Sequence, residues 1–317
     1  MAKMTKPATS NSVRAATVKT SAPAATLERV KSAETASVGV AVPKGRYIDP
    51  RTDFGFKRIF GNSDFLISFL NGALELKDKI VSLQYKNAEQ KGRIRTDRSA
   101  FFDLHCTTGK GEYIIVEMQN MPQPYFKDRA LYYVSLPIQK QAKRGKWNFR
   151  LNPVYSVNIL DFKISEDSEQ YHHYVQLMDR KSKSVFYDKL ALVFIELPDF
   201  NKTEDELKTV YDRWLYILKH LSELHNVPDA IRQDKMFKRL FREAEVANMN
   251  PEELDLYDQS LKNYWDMYTA NDILKMYQKM YQEELAAKDK RIAAKDKRIA
   301  ELERLLGLSG AVLEPIT

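Results

Sequence analysis

Between Ala100 and Gln119 the chain alternates apolar and polar residues on either side of a short glycine-flanked turn, and this pattern commits it to a β-hairpin. The turn, Thr108-Gly109-Lys110-Gly111, is built from residues that tolerate positive φ. Residues 99–107 supply one strand and residues 112–119 the other, with Tyr113, Ile114, Ile115 and Val116 as strong strand formers. A hairpin symmetric about Lys110 sets Asp103 directly opposite Glu117, a separation of roughly 4.5–5.5 Å between Cβ atoms. Side chains alternate along a strand, so Gln119 joins Glu117 on its face and His105 lies beside Asp103. The opposite face carries Phe102, Leu104, Cys106, Ile114, Val116 and Met118, and such an apolar surface is expected to pack on helices.

Two carboxylates held this close repel one another unless something neutralises them. A hard cation does so: Mg²⁺ takes one or two protein carboxylates and completes its shell with water and substrate phosphate. A solvated sheet face on which two acids happen to meet fits the spacing equally well.

The net charge is +7. Residues 126–150 carry Lys127, Arg129, Lys140, Lys143, Arg144, Lys146 and Arg150 against Asp128 alone. Residues 86–98 carry Lys86, Lys91, Arg93, Arg95 and Arg98 against Glu89 and Asp97. These clusters flank the acidic hairpin in sequence. A basic surface around an acidic centre suits a polyanionic partner held through its phosphates, with Arg129, Lys140, Lys143 and Arg144 as the expected contacts. Two solvated faces on an ordinary basic protein remain the alternative. The single cysteine, Cys106, excludes a disulfide framework and suits a reducing, cytoplasmic setting. No apolar run approaches the ~20 residues a membrane span needs.

Residues 1–45 have no aromatic residue and little to bury, and are expected to form a flexible tail. A compact core is expected over 46–200. It opens with a helix capped by Asp49, with Pro50 next, or else by Thr52, carrying Asp53 and Lys57 one turn apart. Gly61-Asn62 ends that helix and a second covers residues 64–76. A strand over 80–85, the hairpin, a helix over 124–144 kinked or divided by Pro137, and strands over 154–160 and 191–197 follow. His172-His173 reads as a solvated pair in a loop. A helical extension is expected over 201–270. Its helices start at the capping boxes Thr203-Glu-Asp-Glu206 and Asn250-Pro-Glu-Glu253, and Leu254, Tyr257, Leu261, Tyr264 and Tyr268 form a core-facing stripe. The arm over 271–317 repeats Ala-Ala-Lys-Asp-Lys-Arg-Ile twice in tandem. Leu285, Ile292, Ile299 and Leu306 therefore recur every seven residues as one seam of a coiled coil, with Lys288 and Lys295 weakening the companion seam. A solvated single helix and a weak homo-oligomeric coil both fit.

An ordered set of short motifs adds a resemblance. These are Asp53-Phe-Gly-Phe-Lys57-Arg-Ile-Phe-Gly61, Phe65-Leu-Ile-Ser-Phe-Leu70, Phe102-Asp103, Val116-Glu-Met-Gln119, Arg129-Ala-Leu-Tyr-Tyr133 and Ile159-Leu-Asp-Phe162. In this order they resemble the Rpn family of recombination-promoting nucleases, also described as PD-(D/E)XK nuclease family transposases. The resemblance implies an α/β fold with an αβββαβ restriction-endonuclease-like core. It further implies a metal-dependent DNA endonuclease linked to recombination or transposition. Asp103 and Glu117 would hold Mg²⁺, with Mn²⁺ able to substitute, and Gln119 would orient water. The chain departs from the superfamily pattern at Gln119, where the name calls for lysine. Lys57 is a candidate substitute and Asp53 a candidate third acid. The competing reading keeps the fold but not the catalysis, leaving a DNA-binding or scaffold module.

Overall fold

A computed structural model describes residues 45–86, 89–90, 100–101, 103–164 and 169–307. The expected N-terminal tail, the basic residues Lys91, Arg93, Arg95 and Arg98, Phe102 and the last ten residues of the arm lie outside the described residues.

The helix expected near Asp53 is α1, Asp53–Phe60. Its cap is Thr52, whose hydroxyl accepts the Gly55 N–H at 3.1 Å, and Asp49 is left for another use. Gly55 is required there, because a Cβ would stand 2.0 Å from the Asp49 carbonyl oxygen. α2 follows at Ser63–Ala73 and buries Phe65, Leu66, Phe69 and Leu70, the apolar stripe of its sequence.

Six strands then form one mixed sheet: β1 (Leu83–Tyr85), β4 (Leu104–Thr108), β5 (Tyr113–Gln119), β6 (Val154–Leu160), β8 (Val185–Glu196) and β7 (His172–Met178), in that spatial order. β1, β4 and β5 pair antiparallel, β5, β6 and β8 run parallel, and β7 returns antiparallel along β8. Two short strands, β2 (Glu89–Gln90) and β3 (Ala100–Phe101), make a separate ribbon. The parallel strands lie in the middle, and all seven residues of β6 are buried, as expected where both faces of a sheet are covered.

One face of the sheet is covered by α3, Phe126–Lys140, which runs through Pro137 without dividing. Phe126, Ala130 and Val134 pack there on Val154, Leu160, Leu192 and Phe194, while Tyr133 and Leu136 pack on Ile115. The other face presents Ile114, Val116, Val157, Ile159, Val193 and Ile195, all fully buried. This is the α/β architecture expected from the sequence, with one strand added. His172-His173 is not a solvated loop pair: it opens β7. His172 Nδ1 meets the Tyr211 hydroxyl at 2.9 Å and His173 Nε2 meets buried Glu196 at 3.0 Å.

The helices after Pro198 are α4 (Val210–His220), α5 (Asp229–Arg232), α6 (Lys235–Glu243) and α7 (Pro251–Leu305). The capping box at Thr203 closes only one 3₁₀ turn, Glu204–Glu206; the helix itself starts from a second box in which Thr209 and Asp212 bond reciprocally. The box at Asn250 opens α7, a single helix of 55 residues that runs unbroken past residue 270. No helix among the described residues is long and apolar enough to cross a membrane.

These helices share the core of the first two. Trp214 of α4 is fully buried, with ring centroids 5.5 Å from Phe60, 6.2 Å from Phe69 and 5.1 Å from Phe237. Its indole N–H donates to Ser68 Oγ at 3.0 Å. Trp214→Ala should therefore lower the unfolding free energy by about 3–5 kcal/mol, the usual range for emptying a buried aromatic site. Urea denaturation followed by far-UV circular dichroism measures it. A loss below about 1 kcal/mol would mean that α4 is dispensable to the core.

Candidate functional site

The β4–β5 register is symmetric about Lys110, and among the described residues its last pair is Leu104↔Val116. The hairpin turn closes through the Thr108 carbonyl and the Gly111 N–H, with Gly111 at φ 83°. β4 begins only at Leu104, not near residue 99. Asp103 therefore stands at the end of the ladder, one step beyond its last rung. The Asp103 carboxylate takes the Met118 N–H, with Oδ2 at 2.7 Å. The Asp103 N–H donates in turn to Glu117 Oε1 at 3.3 Å. The two acids thus link the two strands beyond the last backbone pair among the described residues.

Glu117 sits on the α3 side of β5. In the parallel register it neighbours Asn158 of β6, a buried amide that donates to Ser156 Oγ and to the Val193 carbonyl. The Gln119 amide is oriented at both ends. Its Nε2 donates to Glu117 Oε2 at 3.1 Å, and its Oε1 accepts from the Arg129 guanidinium at 2.7 Å. Arg129 belongs to the first turn of α3, where it also bonds Gln123 and stacks over Phe126 and Tyr133.

Burial raises the pKa of both acids. Glu117 is only 4% exposed, and the neighbouring Asp103 charge raises it further, while Arg129 and Gln119 pull it back. Asp103 is likewise raised by burial and, after the opposing Met118 N–H bond, by Asp53; Lys57 and Arg129 lower it. A pair in this state holds protons more tightly than ordinary carboxylates unless a cation joins it.

Asp53 and Lys57 approach from α1. They pair with each other at 2.6 Å and are both more than half exposed. Asp53 and Asp103 line one cleft of about 200 Å³, together with Arg51, Phe56, Met118, Asn120 and Tyr264. The cation in contact with the Glu117–Gln119 unit is Arg129, not Lys57. The structure does not bring Lys140, Lys143 or Arg144 to the acids: α3 has its first turn at the site and its last at the other end of β6. Eleven residues separate Arg129 from Lys140, about 17 Å at 1.5 Å per residue. His105 is buried beside Tyr113, and Cys106 is fully buried, its thiol pushed up to about 12 by that burial.

The rim of the cleft rests on residues the sequence did not single out as a site. Arg51 binds Asp49 through two bonds of 3.0 and 2.8 Å and approaches Asp161 at 3.6 Å, beneath the Tyr264 ring. Its carbonyl accepts the Asn120 side-chain N–H at 2.7 Å. The one available signal was Asp161, which lies in the Ile159-Leu-Asp-Phe162 motif.

Among the described residues no group of three His, Cys, Asp or Glu converges. The donor set at the site is therefore two carboxylates, an all-oxygen pair suited to a hard cation and unlike the nitrogen and sulfur sets that hold zinc. Each carboxylate oxygen can accept more than one bond, so the three already engaged retain capacity.

No curated protein and no solved structure matches the chain. A family described as PD-(D/E)XK nuclease family transposase matches residues 50–273, from just before α1 to within α7. With its αβββαβ succession, its mixed sheet and this match over more than half its length, the chain belongs to the PD-(D/E)XK nuclease family transposases.

Proposed function

We propose that the protein is a metal-dependent DNA endonuclease acting on phosphodiester bonds, in the setting of recombination or transposition. The observation that carries this reading is the Asp103–Glu117 pair, held at the end of a β-ladder with Asp103 lining a cleft and Glu117 tied through Gln119 to Arg129. Asp103 and Glu117 hold the divalent cation, Mg²⁺ or Mn²⁺. Bound there, the cation supplies Lewis-acid chemistry, lowering the pKa of water and stabilising charge on phosphate.

The chain's own residues do the rest. Met118 and Gln119 donate to the acids and fix their oxygens. Gln119 cannot act as a base, so its part is to orient: Arg129 holds its Oε1, which directs its N–H groups toward Glu117. Arg129 also places a permanent positive charge beside the acids, where an incoming phosphate needs one. Asp53 and Lys57 shape the charge on the far side of Asp103. The basic loop after α3, with Lys143 and Arg144 exposed, holds DNA phosphates beyond the far end of α3, about 17 Å or more along the helix from Arg129.

Glu117→Gln keeps size and hydrogen bonding but removes charge. A plasmid-nicking assay with Mg²⁺, Mn²⁺ and EDTA should show cleavage falling to background in this variant, with DNA binding retained or improved. Arg129→Ala should slow cleavage by roughly 10–100-fold, the range for residues that orient a ligand from behind. Full activity in Glu117→Gln would place the chemistry elsewhere, and a wild-type chain inert with every cation would favour a scaffold that keeps the fold.

Protonation supplies a readout free of catalysis. Because both acids have raised pKa values, the metal-free protein gains stability from their protonated forms at low pH and loses it as pH rises through those values. Cation binding requires the deprotonated pair, so affinity strengthens over the same rise. At pH 8, Mg²⁺ at 100 times its dissociation constant should add about 2.7 kcal/mol, a rise in Tm of roughly 5–10 °C. Glu117→Gln should melt higher than wild type in EDTA and respond little to Mg²⁺. Equal Mg²⁺ shifts in both proteins, by scanning fluorimetry, would remove the acids from the metal site.

DNA affinity should fall for unrelated sequences alike in Lys143→Glu combined with Arg144→Glu. The slope of log K against log salt should shrink by about 2, one for each lost phosphate contact. Filter binding at several salt concentrations measures this, and an unchanged slope would free that loop of any DNA role.

A further inference from the structure

Helix α7 leaves the protein body. Tyr257, Leu261 and Tyr264 are its buried residues, and from Gln278 to Leu305 every residue is exposed. Helices in proteins draw most of their stability from packing of an apolar face, and this stretch packs on nothing among the described residues. It does carry such a face. With Gln278, Leu285, Ile292, Ile299 and Leu306 at position a of a heptad, position d is occupied by Leu274, Tyr281, Lys288, Lys295 and Leu302, and the apolar members of both sets are exposed.

We propose that residues 274–306 of α7 form a parallel, in-register, two-stranded coiled coil with a second copy of this chain. The flanking charges select the occupant and its direction. Position e holds Asp289, Asp296 and Glu303; position g holds Glu284, Arg291 and Arg298. In a parallel pair each g residue meets the e residue five positions on in the partner, which matches Arg291 with Asp296 and Arg298 with Glu303 on both flanks. One contact, Glu284 with Asp289, is unfavourable. Glu284 already has Lys288 at 2.9 Å within its own helix. An antiparallel pair sets e against e and g against g, so Asp meets Asp and Arg meets Arg, which opposes association. Lys288 and Lys295 at d lie beside Asp289 and Asp296 of either helix and reach them with their long stems along the seam. They weaken the coil while fixing its register, and β-branched Ile292 and Ile299 at a favour two strands over three.

A parallel coil holds both protein bodies at the Asn250 end of the paired helices, so that two acid pairs face one DNA. That consequence rests on the proposed nuclease function; the association does not. Sedimentation equilibrium on the full chain tests it, with an expected mass near twice 36.8 kDa. Lys295→Cys should yield a disulfide-linked dimer on mild oxidation, since like positions meet only in the parallel register and Cys106 is fully buried. Arg291→Glu with Arg298→Glu should weaken self-association by roughly tenfold or more. Mixing that chain with one carrying Asp296→Lys and Glu303→Lys should restore a heterodimer. All these positions are solvent-exposed in one chain, so an unchanged urea midpoint for the body shows that folding is not at issue. A monomer at about 100 times a micromolar threshold of affinity, a trimer, or failure of the complementary pair to associate would overturn the proposal.

Discussion

One arginine joins four segments at the rim of the cleft. Arg51 is bonded twice to Asp49 and faces Asp161 at the end of β6. It lies over Tyr264 of α7, and its carbonyl takes the Asn120 amide just beyond β5. Burial works against its charge, but Asp49 and Asp161 overcome this and hold it firmly protonated. Tyr264 donates to Asp161 at 3.1 Å, and the Tyr257 hydroxyl accepts the Asp49 N–H at 3.0 Å. A buried ion cluster of this kind adds little net stability, because desolvation offsets most of the attraction, yet breaking one member leaves an uncompensated charge. Its effect is positional. It fixes the start of α1, and with it Asp53, against the ends of the two strands that lead to the acids.

The acid pair depends on a second constraint, the end of the β4–β5 ladder at Leu104. There the Met118 N–H donates to the Asp103 carboxylate. The carboxylate is thereby pinned in the sheet plane rather than on a pleated face, within reach of both Glu117 and the cleft. Gln119 and Arg129 form the second half of the same device. A lysine at 119 would have placed a charge on β5 itself, whereas here the charge arrives from α3 and acts through a neutral amide.

Local signals competed where the chain enters its last helices. Thr203 and Thr209 both have the composition of a helix cap, and both close a capping box. Only the second is followed by the run that buries Trp214, Leu215, Ile217 and Leu218, so tertiary burial decided which cap started a helix. At Asn250 no competitor existed, and the sequence alone located the start of α7.

Alternation about Lys110 determined the β4–β5 register, because a one-residue slip would move every apolar side chain of the hairpin to the wrong face. Apolar periodicity likewise determined α1, α2, β6 and the buried stripe of α7, each of which is written in consecutive residues. Tertiary structure alone decided the rest. The early end of β4, the recruitment of Arg129 to Gln119 and the Arg51–Asp49–Asp161–Tyr264 cluster each join groups distant in sequence, and their partners are set by which elements pack together. β7 escaped notice for a related reason. It is an edge strand whose exposed residues lack alternation, and it exists because β8 offers it a ladder.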